Sequence, residues 1–384
     1  MQARLGPRRA APPRPTLLVG DLTACVAAFQ RLEQRVLELS LEQQACIGEP
    51  TASAVDAWRD LVPRCRALRE TLTSLRELSH FSRQVYECTA DVCSRAGDWP
   101  EALKALQQLV SLIYPALAMQ LQQQRQEEGR EQQQQQQEQA EGAAPGLPPG
   151  LSAAGPAASG GRVGSSSHSS IRHGAAQARW RQEEQEEEDG AAWMMAGLGA
   201  AAGLDSGVVE AALAQPQFRR WPEVAAALSI YFTCVQQQAG DDCLDTLTTL
   251  RGLPQRVLAT QEVQAALQLH SALAAGDFVA LFRLRAAAPP LVQLVAGAAA
   301  PRAREAALAV LAVAHHKIAV AAVCRWLQLG GTHQLLGCLK VLADRCENGA
   351  CLACRGHLAA QRAMGALQQE EEQLEGGVEL RFKG

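Results

Sequence analysis

A short sequence motif occurs twice in this chain, and it constrains the fold more than any other feature. The two copies read RAGDWPEAL and AAGDFVALF, and in each a Gly-Asp pair interrupts a helix-like pattern. Gly97 and Gly276 can take the left-handed backbone conformation that ends a helix. Asp98 and Asp277 can then accept hydrogen bonds from the free N–H groups that begin the next helix. The sequence therefore predicts two helix–turn–helix bends.

An aromatic residue follows each turn, Trp99 in the first copy and Phe278 in the second, and we expect both to act as packing anchors. Pro100 comes in the first turn of its helix, where proline is tolerated. Hydrophobic residues make up 47% of the chain and aromatic residues only 4%, with Ala, Leu and Gln dominant. Those residues favour helix. Together these features predict an all-α fold built from helical hairpins.

The charge balance argues against a chain drawn as a whole to nucleic acid or membrane. The net charge is −4, so any such contact depends on a local patch. No apolar run reaches the roughly 18 to 20 residues that a membrane span needs, and we expect no membrane partner. The basic, Pro-rich N-terminus lacks the apolar core of a secretory signal. A transit peptide is the alternative for that segment.

The 12 cysteines lie mostly within apolar helical runs rather than in a framework of regular spacing. Cys88, Cys93, Cys234 and Cys324 are examples. Such a pattern is typical of reduced, buried thiols in an intracellular protein.

Composition divides the chain into five segments. We expect a disordered tail over 1–16 and a helical half over 17–119. The stretch 120–217 is a low-complexity Gln/Gly/Ser-rich insertion, and we expect about 120–205 of it to be disordered, because it cannot bury enough apolar surface to fold. A second helical half covers 218–300, and 301–384 forms a distinct terminal segment.

The terminal segment combines short helices with extended stretches. REAALAVLAVAHH, AVAAVCRWLQL and THQLLGCLKVLADRC read as three helices, with KIAV as an extended link and Thr332 as a cap after Gly-Gly. ACLAC and GVELRF are candidate strands. Three short helices and a β-ribbon make a winged-helix pattern.

Four stretches carry a resemblance to a known family. They are LEQRVLELS, CRALRETLTSLRELSHFSRQVYECTADVCSRAGDW, EVQAALQLHSALAAGDFVALFRLRAAAPPLV and ALAVLAVAHHKIAVAAVCRWLQLGG. Together they resemble the GANP family (Sac-three, Thp-three and a leukocyte-receptor-cluster relative) of the PCI-domain superfamily. The likeness covers 17–119 and 218–345. It implies a TPR-like array of helical hairpins followed by a winged helix.

The resemblance also implies a function. It points to a non-enzymatic nuclear scaffold that binds RNA and partner subunits in mRNA processing, transcription-coupled maturation or mRNA export. The implied partners are a small acidic protein of the Dss/Sem type and a second PCI subunit. A proteasome-lid or signalosome PCI subunit is an alternative, since the two Gly-Asp turn motifs are equally compatible with it. The branch of the pathway, direct contact with nucleic acid and the role of the insertion stay open.

Cations of the terminal segment and of the second hairpin are the candidate nucleic-acid contacts. Basic side chains and helix N-termini of a winged helix reach backbone phosphates. Arg283 and Arg285 are included because they lie in a stretch similar to the family's Phe-Arg-Leu region. The candidates are Arg283, Arg285, Lys317, Arg325, Lys340 and Arg345, with Arg355 as a further cation.

One cysteine-rich stretch, CENGACLACRGH, has the residue types of a zinc site. Its potential ligands are Cys346, Cys351, Cys354 and His357. A second ligand pair normally returns from a separate loop, so we favour a wing strand with small apolar cysteines and keep a zinc-binding regulatory module as an alternative. The chain has no G-x-S-x-G, phosphate-loop or H-E-x-x-H motif. We therefore expect no enzymatic activity and no cofactor.

Overall fold

The computed structural model describes residues 21–45, 52–142, 203–236, 242–315, 317–347 and 379–381. These residues are mostly helical, which confirms the all-α prediction. The contacts divide the chain into two units. One unit consists of Met1–Ala118 together with Gly197–Gly384, and the other is Met119–Ala196.

Five helices and a short π-helical turn form the N-terminal half. The helix Val62–Ser74 has Pro63 in its first turn, where proline is tolerated. Phe29, Trp58 and Leu68 are among the buried side chains of this half. The helices are α1 (Leu22–Ala45), α2 (Ala52–Arg59), α3 (Val62–Ser74), α4 (His80–Ala96) and α5 (Trp99–Gln108), followed by the π-helical Leu109–Ile113.

Helices of the C-terminal half continue the same unit. They are α7 (Ser206–Leu213), α8 (Trp221–Tyr231), α9 (Asp242–Gly252), α10 (Gln255–Leu258), α11 (Gln261–Ala275), α12 (Phe278–Ala287) and α13 (Pro290–Ala314), with a 3-10 turn at Pro216–Phe218 and a π-helical turn at Phe232–Gln236. In this half α8 packs against α11 and α13.

Both Gly-Asp motifs form the predicted turns. Gly97 has φ 72° and Gly276 has φ 69°, so each ends its helix in the left-handed conformation. The Asp98 carboxylate accepts a hydrogen bond from the Glu101 N–H at 3.4 Å. The corresponding bond to Asp277 has a length of 3.0 Å. The turns join α4 to α5 and α11 to α12, and each of these helix pairs packs together.

The two halves meet through an aromatic and ionic contact. Tyr114 stacks on Trp221, with ring centroids 5.4 Å apart and ring planes 12° apart. The Arg220 guanidinium donates two hydrogen bonds of 2.9 Å to Asp91. The Tyr114 hydroxyl donates to Glu87 at 2.7 Å. The ring stacking and the Arg220–Asp91 bonds join the two halves, whereas the Tyr114–Glu87 bond lies within the N-terminal half; the two hairpins therefore belong to one packed body.

The predicted disorder over about 120–205 is wrong at its N-terminal end, and the predicted insertion 120–217 extends too far at its C-terminal end. Helix α6 runs over Tyr114–Gly142, so 120–142 of the insertion is helical. This part is rich in Gln, Glu and Arg and makes about six helical turns. At the other end, Val208 and Val209 of α7 are buried. A helix that extends an existing one avoids the cost of nucleation, and Gln, Glu and Arg are good helix formers. Low hydrophobicity alone therefore did not decide the structure of 120–142.

By length and composition, one helical stretch of the described chain, Trp99–Gln137, could cross a membrane. Of its most apolar window, 61% is buried inside the protein. Core helices of folded proteins meet the same criterion, so this stretch is weak support for a membrane span. The prediction that no membrane is involved stays a prediction.

Candidate nucleic-acid interface

The terminal segment 301–384 begins inside α13 (Pro290–Ala314), and its first strand follows that helix. β1 (Lys317–Ala319) pairs in antiparallel register with β2 (Glu379–Arg381). The pairs are Lys317 with Arg381, Ile318 with Leu380 and Ala319 with Glu379. Ile318 and Leu380 are buried, whereas Lys317 is exposed. Alternation along the strand therefore places Lys317 on the outer side of β1.

In the described part of the interval between these strands, α14 (Val320–Trp326) and α15 (Thr332–Glu347) follow β1. The sequence predicts Thr332 as the cap of this helix, and in the structure Thr332 is its first helical residue, while the Gly331 carbonyl oxygen accepts a bond from the Leu335 N–H at 3.3 Å. Val323 of α14 and Leu335 and Leu339 of α15 are fully buried. Helix α14 contacts both β1 and α15, and α15 contacts α13. The second candidate strand, ACLAC, lies outside the described residues.

Four of the predicted cations are exposed: Arg283, Lys317, Arg325 and Lys340. Arg283 lies on α12, which packs against α14, the helix that carries Arg325. Because α14 in turn contacts β1 and α15, these four side chains come from one contiguous group of elements.

Arg285 differs from that exposed set. Its side chain is half-buried, and its Nε donates to the Gln293 carbonyl oxygen at 3.3 Å. The guanidinium also covers Gly297, where a Cβ would lie 3.2 Å from the Arg285 Nη2. These contacts join α12 to α13, which is a structural role for Arg285.

The remaining predicted site residues are only partly described. Arg345 and Cys346 lie on α15, and their side chains are outside the described part of the structure. Arg355 and the other three potential zinc ligands, Cys351, Cys354 and His357, are also outside it. Among the described residues, no group of three or more His, Cys, Asp or Glu side chains could hold a metal ion. The zinc alternative stays a prediction.

Sequence reasoning missed two arginines that the structure associates with this region. Arg381 is one, because it is the register partner of Lys317. GVELRF was recognised as a candidate strand, so its pairing with KIAV was the signal that could have found Arg381.

Arg304 is the other arginine. It lies on α13, it is 7% exposed, and its guanidinium bonds to the end of α14. No sequence signal marks it, because its bonds go to backbone carbonyl groups, which every residue possesses.

Glu101 forms a buried charge cluster at the first Gly-Asp turn. Its carboxylate is paired with the Arg69 guanidinium, with Arg66 Nε at 3.4 Å and with Lys104 Nζ at 3.1 Å. Burial by itself would raise the pKa of Glu101, but the charge of Arg69, the Lys104 hydrogen bond and the charge of Arg66 outweigh it and lower the pKa. The cluster ties α3 to α5.

A cleft of about 450 Å³ lies beside this turn, and its charged lining residues are Arg59, Arg66 and Asp98. Arg59 Nη1 bonds to Asp56 at 2.9 Å, and Arg66 approaches Asp98 at 3.8 Å. The lining contains no cysteine, serine or histidine that could act as a nucleophile or general base. We therefore assign no chemistry to this cleft.

Of the four cysteines that the sequence analysis expects to be buried, Cys93 and Cys234 are buried, whereas Cys88 and Cys324 are half-buried. Burial raises the pKa of Cys88, Cys93 and Cys234 to about 12 in each case, with nearby acidic groups adding to the effect at Cys88 and Cys93. All three are thiols without disulfide partners. A thiol with such a pKa forms almost no thiolate at neutral pH and is a poor nucleophile.

Compared with protein-family models, curated proteins and solved structures, the chain has no match.

Proposed function

We propose that this chain is a non-enzymatic scaffold whose terminal segment binds the RNA backbone. The observation that carries the proposal is the strand pairing of the terminal segment. Among the described residues a helix, β1, two helices and β2 follow in this order, and β1 pairs with β2. This order is that of a winged helix, and it supports assigning 301–384 to that class.

The exposed cations support RNA as the ligand. Arg283, Lys317, Arg325 and Lys340 are exposed on elements that contact one another. Arg381 is the register partner of Lys317 on the β-ribbon. Clustered lysine and arginine side chains attract backbone phosphates without reading sequence, and such binding weakens steeply with salt. Because the net charge of the whole chain is −4, the attraction to phosphates depends on this local group of cations.

The architecture also supports the PCI-like part of the proposal. Two helix pairs with the same Gly-Asp turn lie in one compact unit, which also contains the terminal segment. We therefore propose a TPR-like array and membership of the GANP family. The function is that of a nuclear adaptor in mRNA processing or export, with a Dss/Sem-type acidic protein and a second PCI subunit as partners.

Charge reversal on the exposed cations tests the RNA proposal. In the full chain, Arg283→Glu combined with Lys317→Glu should weaken binding of a fluorescent single-stranded RNA about tenfold at low salt. The slope of log affinity against log salt should become shallower by about one for each phosphate that the variant no longer binds. Arg251→Glu, an exposed arginine on α9, is the matched control. Equal binding by the double variant and the control would refute the proposed surface.

Affinity purification with mass spectrometry tests the partners. A Dss/Sem-type protein, a second PCI subunit and mRNA-processing factors should co-purify with the tagged full chain from its own cells. Proteasome-lid or signalosome subunits would instead favour the alternative PCI assignment, which the turns fit equally well. The two experiments are independent, because RNA binding is measured on the isolated chain.

A further inference from the structure

Arg304 is a buried cation on the long helix α13. It is 7% exposed, and Ala300, Ala303, Ala307 and Leu308 on the same side of the helix are also buried. A guanidinium stays charged at any physiological pH, and a buried charge is costly unless hydrogen bonds compensate it. Arg304 therefore requires specific partners.

The last carbonyl groups of α14 are such partners. Arg304 Nε donates to the Leu327 carbonyl oxygen at 3.2 Å, and its Nη2 donates to the Gln328 carbonyl oxygen at 3.2 Å. Helix α14 ends at Trp326, and Gln328 has φ 50°. The guanidinium thus binds the negative end of a helix dipole and satisfies carbonyl groups beyond the last turn.

The same guanidinium also contacts the helical array. Its central carbon lies 5.6 Å from the centroid of the Phe282 ring on α12, within the range of a cation–π interaction. A single side chain of α13 thereby contacts both α12 and the end of α14. Arg283 directly follows Phe282, and Arg325 lies two residues before Leu327.

We propose that Arg304 is a positioning residue that holds Arg325 of α14 and Lys340 of α15 in register with Arg283 of α12. Arg304 itself is buried and makes no RNA contact. The two hydrogen bonds from the Arg304 guanidinium to the carbonyl oxygens of Leu327 and Gln328 fix the backbone at the end of α14. They therefore set the direction in which α15 begins. This inference rests on the proposed RNA function of the terminal segment.

The first test is Arg304→Lys in the full chain. Lysine keeps the charge, but it lacks the planar fork that reaches two carbonyl groups and covers an aromatic ring. We expect RNA affinity to fall about tenfold. Amide hydrogen exchange should become faster in peptides from 320–340 and stay unchanged in peptides from 80–110. Arg302→Lys is the control, because it makes the same substitution at an exposed position of the same helix.

A double-mutant cycle separates positioning from a general loss of stability. In a chain that already carries Arg325→Glu and Lys340→Glu, Arg304→Lys should cause little further loss of RNA affinity, because the residues it positions no longer contribute. An equal loss in both backgrounds would overturn the proposal. Unchanged affinity despite faster exchange would overturn it as well.

Failure of the positioning role and failure of the proposed function give different results. If the unaltered chain binds no RNA, the proposed function fails, and the positioning role falls with it. If the unaltered chain binds RNA and Arg304→Lys binds it equally well, only the positioning role fails.

Should Arg304→Lys not fold, as judged by circular dichroism, Phe282→Leu removes the ring contact and keeps an apolar side chain. We expect a smaller loss of affinity in the same direction, and no loss would refute the proposal.

Discussion

The two Gly-Asp turns have the same backbone geometry and different surroundings. Gly97 and Gly276 differ by only 3° in φ, at 72° and 69°. In both turns the aspartate accepts a hydrogen bond from the N–H three residues later, which belongs to Glu101 in the first turn and to Ala280 in the second. Glu101 is buried among cations, whereas Ala280 is half-buried without a charge to contribute. Local residues determine the turn, and the packed neighbours determine its electrostatics.

The difference has a structural consequence. The first turn is locked to α3 through the Arg69 and Arg66 pairs with Glu101. The helix that follows the second turn, α12, packs against α13, where the Arg304 guanidinium lies over Phe282 and also bonds to the end of α14. The first turn therefore stabilises the interior of the N-terminal half, whereas the helix after the second turn is connected through Arg304 to the terminal segment.

The largest expected effect comes from giving the first turn the residue of the second. Glu101→Ala leaves the Arg69 guanidinium buried without its carboxylate partner. Removing one member of a buried ion pair typically costs about 3–5 kcal/mol, so the free energy of unfolding should fall by about that amount. Denaturant unfolding of the full chain, followed by circular dichroism, measures it.

An exposed pair supplies the control for that variant. Arg35 pairs with Glu38 at 2.9 Å, with both side chains more than 40% exposed. Glu38→Ala should change the free energy of unfolding by about 0–1 kcal/mol. If Glu101→Ala costs no more than Glu38→Ala, the two turns are electrostatically equivalent, and the proposed difference between them is wrong.

The fold was predictable from sequence where local chemistry decides the structure. Gly97 and Asp98 define a turn whatever surrounds them, and Pro63 marks the start of α3 in the same way. The structure of 120–142 was not predictable by the same reasoning, since its helix continues from the buried Tyr114. Composition describes a segment by itself and carries no information on the helix that precedes it.

The candidate site was predictable in part. The exposure of Lys317 follows from strand alternation, but the registry of Lys317 with Arg381 depends on a pairing between distant segments. The role of Arg304 had no local signal, because it bonds to the carbonyl groups of Leu327 and Gln328, and every residue possesses such a group. Arg285 was assigned to RNA from sequence, although it bonds to the Gln293 carbonyl group.

An intermediate effect is expected from alanine at the two glycines. Gly97→Ala and Gly276→Ala each force a Cβ into the left-handed region, at a cost of about 1–2 kcal/mol. No heavy atom lies within 4 Å of a Cβ at Gly97, and at Gly276 only Phe278 approaches, at 3.9 Å. The cost is therefore one of backbone conformation, and it should be equal in both turns.

Denaturant unfolding of the two single variants and the double variant measures these costs. The turns are far apart in the chain and share no bonding partner, so the two losses should add. A loss at Gly97 that is several times larger than the loss at Gly276 would mean that the charge cluster also depends on the backbone of the first turn.

The smallest expected effect is a change in pH dependence that only the first turn should show. The pKa of Glu101 in the folded protein lies below its ordinary value of 4.5, because the attraction of Arg69, Lys104 and Arg66 outweighs the effect of burial. A carboxyl group with a lowered folded pKa contributes stability that is fully present above its unfolded pKa. That contribution declines as the pH falls below about 4.5 toward the folded pKa. The difference in unfolding free energy between the unaltered chain and Glu101→Ala should therefore shrink over this range and stay constant above about pH 6.

The control is Asp277→Ala in the second turn, which removes a cap that has no cationic partner among the described residues. The difference in unfolding free energy between the unaltered chain and Asp277→Ala should therefore vary less with pH. Parallel curves for the two variants would show that the cations around Glu101 do not stabilise its charged form.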